Sequence, residues 1–179
     1  MERIFATVIT LFTVAVNAAY VPDDCLHCIC YVETHCSMPQ HGSGQYSHCD
    51  WDVYSYSCGP YQIKDIYWED AKLKGGSLMG DWLKCTADWQ CSGDAVNGYM
   101  KRYATKARIG TTPTCEHFSR IHNGGPNGYK VEATKKYWLK VKDCLDHHKC
   151  CDPYPPRRGA LRGAALLESI LKHKSHNQL

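Results

Sequence analysis

Twelve cysteines behind an export signal constrain this chain more than any other feature of its sequence. Arg3 precedes a mostly apolar run from Ile4 to Val16, and Val16-Asn17-Ala18 then offers small residues of the kind a signal peptidase reads. The run is too short to span a bilayer. It predicts a secretory signal over residues 1–18, with a buried N-terminal helix as the competing reading. A secreted, extracellular protein follows, with no stable membrane insertion. The cysteines come after it, at 25, 28, 30, 36, 49, 58, 85, 91, 115, 144, 150 and 151. An even count in an exported chain reads as a disulfide framework whose connectivity the sequence leaves open.

A metal site is the competing reading of the same residues. Cys25-x-x-Cys28-x-Cys30 has ligand-like spacing, and ten histidines are available. Thiols oxidise outside the cytosol, so disulfides are expected and no metal or cofactor is. The 179 residues suffice for one compact domain. Charge is unevenly placed within them: Arg157, Arg158, Arg162, Lys172 and Lys174 face only Asp152 and Glu168 beyond residue 150, so the formal net charge of +3 sits in the tail. The balanced body argues against a protein built to grip nucleic acid.

Periodicity predicts a mainly helical body. A helix is expected over Cys25–Thr34, capped by Asp23 or Asp24, with Leu26, Ile29, Cys30 and Glu33 along one side. Glu33 then lies near the helix C-terminus, where the dipole disfavours a carboxylate's negative charge. Residues 37–48 read as a loop closed by Cys36 and Cys49 or their partners. Trp51 to Tyr56 reads as a short strand or hairpin stopped by Cys58-Gly59-Pro60. Ile63, Ile66, Tyr67 and Ala71 repeat helically, a short helix is expected over Asp81–Lys84, and a longer one over Ser92–Lys106 carries Val96, Tyr99, Met100 and Tyr103. Thr114 caps a helix through Ile121, and a last helix over Val131–Leu145 aligns Tyr137, Trp138, Val141 and Cys144. The tail over 149–179 is basic, and Gly159–Lys174 has weak amphipathic spacing.

Two acidic residues stand in contrasting neighbourhoods. Glu33 has Ile29, Cys30 and Val32 about it, while Asp52 lies among Tyr54, Ser55 and Ser57. Cleavage of a glycosidic bond needs such a contrast: one carboxyl to protonate the leaving oxygen, and one carboxylate to stabilise or attack the sugar. Surface positions for both are the plain alternative. Trp51, Tyr54, Tyr56, Tyr61 and Trp68 supply flat rings nearby that suit sugar faces or a core.

The segment Cys25-Leu-His-Cys-Ile-Cys-Tyr-Val-Glu33 resembles the opening signature of the invertebrate-type lysozymes, the destabilase family. Cys49-Asp-Trp-Asp52-Val-Tyr-Ser55-Tyr-Ser-Cys58-Gly-Pro-Tyr-Gln-Ile-Lys64 is similar to the family's second block. Tyr67-Trp68, Tyr99 to Tyr103, Ile121-His-Asn-Gly-Gly-Pro126 and Tyr137-Trp138 follow in the family's order. The resemblance implies an α+β, mainly α, disulfide-rich lysozyme-like fold over 22–148, with a small β-hairpin and the sugar lying in a cleft. It implies hydrolysis of the β-1,4 bond between N-acetylmuramic acid and N-acetylglucosamine in peptidoglycan or a related amino-sugar polymer. The proton donor falls on Glu33 and the second carboxylate on Asp52. Members similar to destabilase also cleave ε-(γ-glutamyl)-lysine bonds, and the residues for that isopeptidase activity fall on Ser55, Lys64 and His122.

Some family features are replaced. Ala71, Tyr129, a position near Ala95 and another shortly before Thr114 stand where the family has cysteine, an even loss that implies two missing bridges. Thr34-His35 follows Glu33 where the family has Ser-Gly. Two other functional readings compete: a non-catalytic sugar- or bacterium-binding relative, and an antimicrobial protein that acts through its basic tail. Retention of both Glu33 and Asp52 favours the enzyme.

Overall fold

The computed structural model describes residues 20–72, 78 and 80–147. The expected export signal and the basic tail with Cys150 and Cys151 lie outside the described residues.

Among the described residues, seven α-helices accompany one antiparallel hairpin. The first helix, α1 (Asp23–Thr34), starts at Asp23 rather than Cys25. Pro22 occupies the N-cap, and Asp23 and Asp24 lie inside the first turn, where carboxylates meet the positive end of the dipole. Leu26, Ile29 and Cys30 are fully buried, as their spacing requires. Each such aliphatic side chain contributes roughly 1.5–3 kcal/mol by leaving water. The helix ends where His35 turns left-handed at φ +53°, its N–H bonding the Tyr31 carbonyl. His35 thus accepts the conformation for which glycine is the easier residue.

Four disulfides join the described residues. Cys25–Cys115 and Cys28–Cys144 fasten α1 to α6 (Cys115–Gly124) and α7 (Lys135–Asp146). Cys85–Cys91 joins α3 (Trp82–Thr86) to α4 (Trp89–Tyr103). Cys49 pairs with Cys58, so Cys36 does not close the 37–48 loop; Cys30 and Cys36 are free thiols. Burial, and then contact with Cys36, push the Cys30 thiol far above its ordinary value. The ligand-like spacing has a different use, because Cys25 and Cys28 spend their sulfurs in bridges to distant helices. His48, Cys49 and Cys58 also cluster, but two of those three sulfur and nitrogen donors are likewise bridged to each other.

The hairpin pairs β1 (Cys49–Asp52) with β2 (Ser55–Cys58) in the register Cys49↔Cys58, Asp50↔Ser57, Trp51↔Tyr56 and Asp52↔Ser55. Its two-residue loop, Val53-Tyr54, has φ +42° and +63°. At the hairpin base, Gly59 has φ +72°, and a Cβ there would lie 2.1 Å from the Thr86 carbonyl oxygen, so no other residue fits.

Behind the hairpin, α2 (Asp65–Lys72) packs on α4. They approach so closely that a Cβ on Gly98 would lie 2.7 Å from the Ala71 carbonyl oxygen. Tyr67 and Ala71 are buried as their spacing predicts, and Trp68 is buried beside them. Ile66 is exposed instead, and Ile63 precedes the helix in a bridge to Cys58. The helix expected over Ser92–Lys106 begins at Trp89, because the Asp88 side chain caps it at 2.8 Å from the Cys91 N–H. It ends at Tyr103, and Thr105 caps a separate short helix, α5 (Lys106–Ile109).

Thr114 caps α6 as expected, in a capping box with His117, but the helix continues through Gly124. The start expected at Val131 is replaced by 3₁₀ turns over Gly128–Lys130 and Glu132–Thr134 before α7. A buried guanidinium holds this corner: Arg120 donates to Thr134 Oγ1 at 3.1 Å, the Val131 carbonyl at 3.1 Å and Glu116 Oε1 at 2.9 Å. No described helix is long and apolar enough to cross a membrane.

Candidate active site

A cleft of about 600 Å³ opens between the hairpin and the helices. Glu33 from α1, Asp52 from β1, Lys64 from the entry to α2, and His122 from α6 all line it. Gln62, Tyr67, Asp70, Tyr99, Asn123 and Pro126 extend its walls. Three carboxyl side chains from separate elements, Glu33, Asp52 and Asp70, therefore share one furrow, and Asp70 is engaged by the Tyr103 hydroxyl at 2.7 Å.

Their surroundings differ sharply. Glu33 lies on the last turn of α1, with its side chain 19% exposed. The Tyr137 hydroxyl on α7 donates to Glu33 Oε1 at 2.7 Å, and His122 Nε2 lies 3.4 Å from the same oxygen. Burial first, then the charge and hydrogen bond of Glu33, hold the Tyr137 phenol well above its ordinary pKa, which keeps it a donor. His122 is nearly sealed, with its side chain 4% exposed. Its Nε2 faces the Tyr61 carbonyl at 3.1 Å, and a carbonyl only accepts, so Nε2 carries a hydrogen. Nδ1 pairs with the Tyr67 hydroxyl at 3.1 Å, and Tyr67 stacks on Tyr99 with centroids 3.6 Å apart.

Asp52 lines the same cleft from the hairpin and lies in the open, with its side chain 56% exposed. Lys64 Nζ lies 3.3 Å from Asp52 Oδ2 and donates to the Asp52 carbonyl at 2.8 Å. So exposed a pair adds little to stability, but the backbone contact fixes the strand end that carries the carboxylate.

The residues matched to isopeptidase chemistry are split. The Ser55 hydroxyl donates to the Asp52 carbonyl at 3.4 Å, the oxygen that Lys64 also reaches. Among the described residues no hydrogen bond joins Ser55 to Lys64 or His122, and His122 belongs to the Glu33 wall.

The aromatic residues divide between core and surface. Tyr61 and Trp68 are buried in the core, as the core reading expects, while Trp51 and Tyr54 are exposed on the hairpin. Tyr56 packs between Tyr46 and Trp51. Strand alternation keeps the hairpin rings off the cleft: Trp51 pairs with Tyr56 across the hairpin, so both share a face that Asp52 and Ser57 do not. The rings that line the cleft are Tyr67 and Tyr99. The sequence marks Tyr137 as a stripe residue of its helix and as half of the Tyr137-Trp138 match to the family. Neither signal ties it to Glu33, because the two meet through tertiary packing across 104 positions.

Comparison with known proteins gives this geometry a context. A sequence model of the family described as Destabilase matches residues 22–144. A lysozyme of Magallana gigas is 40% identical over 142 residues, which cover 79% of this chain and 93% of that protein. Invertebrate-type lysozyme 3 of Caenorhabditis elegans is 38% identical over 144 residues, covering 78% of this chain and 96% of its own. Among solved structures, the inhibitor-bound lysozyme from Meretrix lusoria aligns with a TM-score of 0.55 and 38% identity, over 69% of this chain and 89% of that one.

Proposed function

The chain belongs to the destabilase family of invertebrate-type lysozymes and is a glycoside hydrolase; we propose that Glu33 is its proton donor and Asp52 its second carboxylate. The substrate is the β-1,4-linked amino-sugar strand of peptidoglycan, cut on the N-acetylmuramic acid side of the bond. What carries this reading is the pairing of unlike carboxyls across one cleft. Glu33 is withdrawn from water under a tyrosine hydroxyl, and Asp52 is open and beside an ammonium. An oxocarbenium-like transition state calls for that division of labour.

These proposed roles imply an order of events. A strand seated in the cleft places a glycosidic oxygen against Glu33, which protonates it as the bond to the anomeric carbon breaks. Positive charge grows on the sugar facing Asp52, whose carboxylate Lys64 holds in place. Asn123, Gln62 and Asp70 offer hydrogen bonds to ring substituents, and Tyr99 offers an apolar wall. Export to the extracellular space suits both the substrate and the four bridges.

Digestion of purified bacterial walls followed by borohydride reduction tests the bond assignment. Reduced muramic acid ends are expected; reduced glucosamine ends instead would overturn it. Isopeptidase activity is a second reading, supported by the convergence of Ser55 and Lys64 on one carbonyl oxygen. Ser55→Ala is then expected to abolish cleavage of an ε-(γ-glutamyl)-lysine peptide while walls are still cleared.

A further inference from the structure

The Glu33 carboxyl group is held asymmetrically. Among the described residues its polar contacts fall on a single oxygen: the Tyr137 hydroxyl donates to Oε1 at 2.7 Å, and His122 Nε2 lies 3.4 Å from the same atom. Neither group is free to turn away. Tyr137 is buried, and Glu33 is the hydrogen-bond partner its hydroxyl has in the structure. A buried hydroxyl hydrogen without an acceptor is costly, so Tyr137 gives its hydrogen to Oε1. His122 is fixed from behind by Tyr67 on Nδ1 and by the Tyr61 carbonyl on Nε2, which holds the Nε2–H group 3.4 Å from Oε1.

A proton on Oε1 would turn the acceptor of the Tyr137 hydrogen into a hydroxyl oxygen, a weaker acceptor than a carbonyl oxygen, and would crowd the His122 N–H. A proton on Oε2 does neither. We infer that Tyr137 and His122 are positioning residues that decide which oxygen of Glu33 carries the acidic proton, reserving Oε2 for donation to the leaving group. This rests on the reading of Glu33 as the acid.

The step balances on the groups named. The Oε2–H bond breaks with its electrons left on the carboxyl, and the proton bonds to the glycosidic oxygen. The bond between that oxygen and the anomeric carbon breaks with its electron pair going to the oxygen, which leaves as a sugar hydroxyl. The new negative charge on Glu33 spreads onto Oε1, where the Tyr137 hydroxyl is already aimed and the polar His122 N–H lies 3.4 Å away. Hydrogen bonds to an ion are stronger than those to a neutral group, so the Tyr137 bond tightens as the proton departs. It favours the transition state over the ground state, and such a contact raises kcat rather than lowers KM.

Leaving-group dependence separates this role from a merely structural one. Two substrates serve: a soluble peptidoglycan-derived oligosaccharide, whose leaving sugar needs a proton, and a dinitrophenyl glycoside of the same sugars, whose leaving group departs without one. Tyr137→Phe keeps the ring and removes the hydroxyl. It is expected to lower kcat on the oligosaccharide about 10- to 100-fold with KM nearly constant. On the dinitrophenyl glycoside the loss stays within about twofold. Equal losses on both substrates, or no loss on the oligosaccharide, would overturn the inference. If Tyr137→Phe does not fold by circular dichroism, His122→Gln is read in the same assay, with a smaller loss again confined to the oligosaccharide. Glu33→Gln is the control for the underlying assignment: if it cleaves the oligosaccharide as fast as wild type, the choice of acid has failed, whatever Tyr137→Phe does.

Discussion

Replacing Val53-Tyr54 by Asn-Gly should make this protein more stable. Asp52 pairs with Ser55, so the loop has two residues, and both lie at positive φ, +42° and +63°. A two-residue hairpin of this kind is the natural place for Asn-Gly. Left-handed backbone costs an ordinary L-residue about 1–2 kcal/mol, and a β-branched valine is among the worst residues for it. Neither side chain recovers that cost by burial, since Val53 is 73% and Tyr54 92% exposed. Relief at two positions is worth roughly 2–4 kcal/mol, less about 0.5–1 kcal/mol for the extra freedom glycine gives the unfolded chain. Asparagine still bears part of the left-handed cost, so the net gain is about 1–2 kcal/mol. For a body of this size that raises Tm by roughly 3–10 °C. Calorimetry gives the shift directly, and a urea titration should show a higher midpoint with an unchanged slope. An unchanged or lower Tm, with the hairpin intact by nuclear magnetic resonance, would refute the strain argument. The loop directly follows Asp52, and strained backbone concentrates at functional sites.

Arg120→Ala removes three hydrogen bonds at the corner of α6 and α7; it should cost about 2–4 kcal/mol in urea unfolding, and a cost under about 0.5 kcal/mol would show the corner is held otherwise. Loss of the Cys28–Cys144 bridge in a Cys28→Ala/Cys144→Ala protein frees a loop with a sequence separation of 116, and stability should fall by about 4–5 kcal/mol on the loop-entropy estimate. Burial lowers the pKa of His48, whose Nε2 faces Thr86 Oγ1 at 3.0 Å. The unfolded chain then takes up the proton first as pH falls. The stability contributed by neutral His48 is complete above the ordinary value of 6.5 and is lost as pH drops through it toward the lower folded value. Tm should therefore decline between about pH 7 and pH 5, and His48→Gln should flatten part of that decline; an identical decline in the variant would contradict the assignment.

The hairpin and most helices were legible because their cues are local: a run of aromatic and hydroxyl residues stopped by Cys58-Gly59-Pro60, and apolar stripes such as Val96, Tyr99 and Met100. Helix ends were less legible. Two aspartates precede Cys25, and only the observed backbone shows that Pro22 is the cap and that both aspartates are inside the helix. Asp88 likewise outcompeted the later start expected at Ser92. Glu33 and Asp52 stood out through motifs rather than physics, since local environment alone does not distinguish them from surface acids. Tyr137 was hidden because its partner lies on α1, and the Cys28–Cys144 bridge joins those two helices in space. Nearness to Asp52 in sequence does not bring Trp51 or Tyr56 to the cleft, since alternate residues of a strand face opposite ways.

Turbidity of a bacterial wall suspension, followed with wild type, Glu33→Gln and Asp52→Asn at equal concentration and equal thermal stability, addresses the central assignment most directly. The wild-type protein should clear the walls, and each isosteric variant should clear them at least about 100-fold more slowly, because each removes one half of the acid and carboxylate pair. Clearing by either variant at the wild-type rate would contradict the account.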